Sequence, residues 1–198
     1  RFDHDPVTGE SKGLLIEEAR TNLNSTIYTE GYGNAYYQRF NDGLSPEGVY
    51  NAHVIGVTGP ASYAGKLFGN YSVNSNPYTF SVYLKKINTP YVWIGEGAGQ
   101  WDRVLFNLDT DSVAATDGSG GTILNSGIED VGNGWKRVFI TVTQTTWSPW
   151  LCIGNSGPGY NALTANEEVM WYGAQLEAGS FPTSYVPSDT RFTSRSSV

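Results

Sequence analysis

Apolar and polar residues alternate over several short stretches of the chain. In Tyr78-Thr79-Phe80-Ser81-Val82-Tyr83-Leu84-Lys85, the side chains of Phe80, Val82 and Leu84 fall on one side, and those of Ser81, Tyr83 and Lys85 on the other. A period of two is the signature of a half-buried β-strand. Gly132-Asn133-Gly134 supplies a positive-φ turn into Trp135 to Val142, where Val138, Ile140 and Val142 alternate with Arg137, Phe139 and Thr141. Ala52 to Val57, Val92 to Ile94, Val104 to Leu108, Leu151 to Gly154 and Val169 to Leu176 complete the set. No helical pattern approaches these in strength; Ile16 to Asn22 offers a single turn at most. Many short strands at this spacing predict an all-β fold, a two-sheet antiparallel β-sandwich of the jelly-roll kind.

The pattern also divides the chain. Phe2-Asp3-His4-Asp5, a Pro6-Val7-Thr8-Gly9 turn and Gly13-Leu14-Leu15-Ile16-Glu17 predict an N-terminal hairpin arm over residues 1–23. Two strands are marginal alone, so the arm is expected to dock on the main domain or on a neighbouring subunit. Residues 24–178 form the sandwich. Residues 179–198, with Pro182, Pro187 and a Ser/Thr run, read as a loop or linker that packs back or leads to a further domain. The chain opens at Arg1 without Met, which predicts a piece of a longer protein.

Composition agrees with the sheet reading. The chain of 198 residues has 24 Gly, 13 Tyr and 6 Trp but only 16% charged residues, a balance that suits twisted sheets joined by tight turns. Net charge is −7, and Lys and Arg are scattered, so the basic stripe that nucleic acid requires is missing. An acidic surface fits a neutral or weakly cationic partner, and fits equally a surface that only keeps the protein in solution. No apolar run is long enough to cross a bilayer as a helix. Cys152 is the single cysteine, which excludes an intrachain disulfide and suits a buried small hydrophobe.

Catalytic patterns are scarce. With His4 and His53 the only histidines, a Cys/His zinc site is nearly excluded. Gly154-Asn155-Ser156-Gly157-Pro158 ends in Pro where a nucleophile elbow needs Gly. Gly95 to Gly99 lacks the dinucleotide spacing, Gly118 to Gly121 lacks the Lys-Ser/Thr of a phosphate loop, and both read as turns. A glycosidase needs only two carboxylates across a cleft. Asp102, Asp109, Asp111, Glu129 and Asp130 lie near strand ends, where solvated acids are ordinary. The chain is therefore expected not to be an enzyme, with a polysaccharide hydrolase or lyase as the minority reading.

Three segments carry a resemblance. Arg1-Phe2-Asp3-His4-Asp5-Pro6-Val7-Thr8-Gly9-Glu10 with Gly13 to Leu23, then Ile128-Glu129-Asp130-Val131-Gly132-Asn133-Gly134-Trp135-Lys136-Arg137, then Trp171 to Pro187 resemble segments of bacteriophage tail and minor structural proteins. Tyr78 to Lys85 and the closing strand are similar to lectin-like, jelly-roll carbohydrate-binding modules. After Leu23 the chain departs from the family, with Asn24-Ser25-Thr26 where a more apolar strand is usual. The resemblance implies a virion component, with a virion or extracellular location, and a lectin-like sandwich; an architectural domain of that kind, with its docking arm, would pack on neighbouring subunits as a homo-oligomer such as a trimer. By analogy with lectin-like jelly rolls, the resemblance also implies a structural calcium near Glu30 and Glu177.

Sugars present apolar C–H faces that flat rings can receive, while nearby polar groups hydrogen-bond the hydroxyls. Strand alternation puts Tyr83, Trp93, Phe139 and Trp171 on the same side of their strands as Lys85, Arg137 and Gln175. Trp101, beside Asp102, and Trp147-Ser148-Pro149-Trp150 offer a second surface on loops. The expected function is non-catalytic binding of a polysaccharide or host-surface glycan by these residues. Its rivals are a purely architectural tail domain and a depolymerase. A ring in a sandwich is more often core than platform, so the sugar reading depends on indoles open to solvent.

Overall fold

The computed structural model describes residues 2–4, 8, 10–14, 19–24, 31–33, 35–61, 64–96, 102–118, 122–154, 163–187 and 194–195. Twelve strands of the described residues build two six-stranded sheets. They are β1 (Gly31–Gly33), β2 (Tyr36–Leu44), β3 (Tyr50–Val57), β4 (Ala64–Leu67), β5 (Pro77–Lys86) and β6 (Tyr91–Glu96). They continue with β7 (Arg103–Asn107), β8 (Ser112–Asp117), β9 (Thr122–Gly132), β10 (Trp135–Thr143), β11 (Pro149–Ile153) and β12 (Glu168–Ala178).

The first sheet runs β8-β7-β6-β11-β4-β1 and the second β9-β10-β5-β12-β3-β2, every pairing within them antiparallel. The chain crosses between the layers repeatedly, as a jelly-roll sandwich does. Sheet against sheet buries the predicted alternation: Phe80, Val82, Leu84, Val138, Ile140 and Val142 meet Val92, Ile94, Val104, Phe106, Leu151 and Ile153 in one core. At about 25 cal/mol per Å² of apolar area removed from water, this core is the main source of stability.

The strands that carry no strong alternation are instructive. Gly31–Gly33, Tyr36–Leu44, Ser112–Asp117 and Thr122–Gly132 are the four edge strands of the two sheets. Each has one neighbour among the described strands, and Tyr36–Leu44 and Ser112–Asp117 carry exposed positions, so a polar sequence such as Tyr-Tyr-Gln-Arg-Phe-Asn-Asp costs little there. The edges also carry register shifts, between Arg39 and Gly43, Ile123 and Asn125, and Asp130 and Gly132. Such irregularities blunt a sheet edge against pairing with another chain. The inner strand β4 is obscured differently, because its inward residue Lys66 is charged yet fully buried, within 6 Å of the ring centres of Phe40, Phe68 and Trp171.

Outside the sandwich, Phe2–His4 and Ser11–Leu14 pair as the predicted hairpin. Arg20–Thr21, expected within a helical turn, is extended and pairs with Ser194–Arg195. The loop expected after Ala178 turns at Gly179 and runs back over the second sheet as a strap ending at Pro187. Within the strap, Thr183 and Val186 are buried.

Candidate functional site

The outer face of the second sheet collects most of the predicted binding residues. Register places Tyr83 opposite Arg137 on β10 and Tyr172 on β12, and places Ser81 opposite Phe139 and Gln175. Lys85 stands opposite Trp135. Tyr83, Lys85, Arg137, Phe139 and Gln175 therefore share one face, as alternation predicts. The Phe139 ring covers its cross-strand neighbour Gly127, where a Cβ would meet the ring at 2.5 Å.

That face is not open, because the strap occupies its centre. Arg137 donates to the Ser81 hydroxyl at 2.9 Å and to the Thr183 carbonyl at 2.5 Å. Gln175 accepts from the Val186 N–H at 2.7 Å and donates to Glu177 at 2.7 Å. Glu177 in turn accepts from the Thr183 N–H at 2.9 Å and the Thr183 hydroxyl at 2.7 Å. Arg137, Gln175 and Glu177 are buried, so their hydrogen-bonding capacity serves the fold rather than a ligand. Polar groups at depth need such partners, since an unmet one costs about 1–3 kcal/mol.

Two predicted platform residues lie elsewhere. Trp171 faces inward, 2% exposed, against Phe68 and His53. The cause is a bulge in β12 between Tyr172 and Gln175, where Gly173 takes φ of +60°. One extra residue reverses the parity, so Trp171 and Gln175 cannot share a side. Trp93 is on β6 of the other layer, 1% exposed, packed with Leu105, Trp150 and Cys152 beneath the Arg103 guanidinium. The Trp147–Trp150 surface is likewise closed: Trp147 enters the interlayer core and Trp150 joins Trp93. Trp101 and Glu30 lie outside the described residues.

What stays reachable is one end of the second sheet's outer face. Tyr185 packs edge to face on Tyr83 and on the buried Tyr172, and Tyr83 lies tilted to Tyr172, with ring centres 5.4–6.2 Å apart. Tyr172 donates to the Glu47 carboxylate at 2.8 Å, and burial together with that acid raises its phenol well above the usual value. Tyr83 and Tyr185 are half-buried. Beside them, the hairpin between β2 and β3 exposes Leu44 (58%), Val49 (53%) and Tyr50 (62%). Alternation did not reveal this hairpin because its first strand, Tyr36–Leu44, is mostly polar and partly exposed; the apolar side chains flanking the Ser45–Gly48 turn were the available signal.

The candidate acids are dispersed. Lys136 binds Asp111 and Asp130 at 2.7 and 2.8 Å, Lys86 binds Asp109 at 2.7 Å, and Asp102 is fully buried. Glu177 spends its oxygens on Thr183 and Gln175, and among the described residues no three His, Cys, Asp or Glu side chains gather as a metal site. His53 is buried beside Trp171 and Phe40, and Cys152 is buried in the Trp93 cluster.

Searches against protein-family models and curated proteins found no match to this chain. The fold and the surface chemistry thus define the class, an antiparallel β-sandwich without helix among its described residues.

Proposed function

We propose that the chain is a non-catalytic architectural domain, a tail-type structural module that works by packing against neighbouring subunits. One observation carries this reading: among the described residues the most exposed large apolar side chains, Leu44, Val49 and Tyr50, gather on one hairpin. Scattered apolar residues on a surface are ordinary, but a cluster at a projecting turn marks a contact site. The fate of the indoles supports it. All five tryptophans among the described residues, Trp93, Trp135, Trp147, Trp150 and Trp171, are at most 2% exposed, so none of them offers a face to a pyranose.

The test is solution mass by light scattering over a wide range of concentrations. Self-association is expected, and Leu44→Ser with Tyr50→Ser is expected to shift the chain to monomer. A wild-type chain that stays monomeric throughout overturns the reading.

A second reading, glycan binding, is favoured by the tyrosine cluster, where Tyr83, Tyr172 and Tyr185 pack together beside the Glu47 carboxylate, with Lys85 two residues along the same strand face from Tyr83. Tyr83→Ala is then expected to cost about 1–3 kcal/mol of affinity for a polysaccharide identified on a glycan array. An array on which the chain binds nothing removes this reading. Release of reducing ends or unsaturated products from polysaccharides would favour the depolymerase instead.

A further inference from the structure

The closing strap is held in a way that resembles a bound peptide more than a loop. It forms no strand; side chains projecting from the sheet's outer face recognise its backbone one group after another. Thr79 donates to the Gly179 carbonyl at 2.9 Å and Thr141 to that of Ser180 at 3.3 Å. Arg137 donates to the Thr183 carbonyl, and Glu177 accepts from the Thr183 N–H. Gln175 accepts from the Val186 N–H, and Asn22 donates to the Val186 carbonyl at 3.0 Å. The groove also selects sequence: the Thr183 hydroxyl meets Glu177, and the Tyr185 ring packs on Tyr83 and Tyr172.

We infer that this groove is a binding site for an extended peptide, that Gly179–Pro187 is its resident occupant, and that in assembled subunits it takes the same segment from a neighbouring copy. The second part rests on the assembly reading above. A second copy is the occupant because the recognition is written for this segment, and every copy carries it. The hinge is Gly179, at φ +132°. Departure of the strap uncovers Arg137, Gln175, Glu177, Ser81, Thr79 and Thr141, polar groups that water can satisfy. On the strap side, Phe181 is already 45% exposed.

The test uses the full chain carrying Thr183→Ala and Val186→Asp, which weaken the resident strap, and a fluorescein-labelled peptide with the sequence of residues 179–187. Fluorescence polarisation is expected to show the peptide binding this variant. The wild-type chain is expected to bind at least about tenfold more weakly, because its own strap competes at the high effective concentration of a tethered segment. Thr→Ala at the position of Thr183 in the peptide is expected to lower affinity about tenfold, the loss for a hydrogen bond to a carboxylate. A variant that keeps its near-ultraviolet circular dichroism yet takes no peptide overturns the inference. So does a variant that loses the sandwich altogether, since the strap is then inseparable core. Peptide binding that persists in the Leu44→Ser, Tyr50→Ser background shows that the groove stands even if the hairpin interface falls.

Discussion

Acidification tests the interior at His53. The ring is 6% exposed, between Phe40 and Trp171, and its Nδ1 accepts the Asn41 N–H at 3.1 Å, which requires that nitrogen to carry no proton. Burial, with the Lys66 ammonium adding to it, pushes the imidazole down to about 4. The unfolded chain titrates this group near about 6.5. Between these values the unfolded state takes up a proton that the fold refuses, so stability present above about pH 6.5 is lost as pH falls toward about 4. The full difference amounts to about 3 kcal/mol, of which about 2 kcal/mol disappears between pH 7 and pH 5. That window lies above the carboxylate range; Asp130, for one, is held below its ordinary value by Lys136.

Urea unfolding followed by tryptophan fluorescence reads the loss directly, since the described indoles are all interior. His53→Gln keeps an acceptor for Asn41 without a titrating group, and its stability is expected to stay nearly level over the same window. Parallel losses in the two proteins refute the reasoning, as does a proton-resonance titration of His53 with a midpoint above pH 6.

Three further outcomes follow from burial and hydrogen bonding. Asn22→Ala is expected to destabilise the fold by about 3 kcal/mol in urea melts, because it strips partners from the Ala174 and Val186 carbonyls and from the Leu176 and Asn24 N–H groups. Trp171→Ala is expected to cost about 3–5 kcal/mol of stability by opening a cavity, measured by the same melts; a loss under about 1 kcal/mol would place the ring at the surface. The Cys152 thiol, fully buried and pushed up to about 12 chiefly by burial, is expected to resist a thiol-specific reagent in the native protein and to react at the rate of unfolding. Immediate labelling would refute its placement.

The opening and closing segments of the described chain meet in space. Asn22, from the opening segment, bonds Ala174 and Val186, from the closing one, and Leu23 donates to the Leu176 carbonyl at 2.7 Å. Arg20 stacks on Phe181 at 5.4 Å. These side chains latch the ends of the domain together, a structural role that spacing along the chain does not reveal.

Alternation along the chain by itself determined that Phe80, Val82 and Leu84, and Val138, Ile140 and Val142, face a core, and that Tyr83, Lys85, Arg137 and Phe139 share the opposite face. It did so because a strand's side chains obey a period of two wherever one face is buried. Tertiary structure alone decided three things. The bulge at Gly173 reversed the parity of β12 and turned Trp171 inward. Membership of the other sheet carried Trp93 away from the face its phase suggested. The strap, brought back over sheet residues such as Thr79, 100 positions before its partner Gly179, filled the groove between the polar side chains. Local pattern tells which way a side chain leaves its strand; what it then meets depends on segments distant in sequence, and those are joined only when the chain folds.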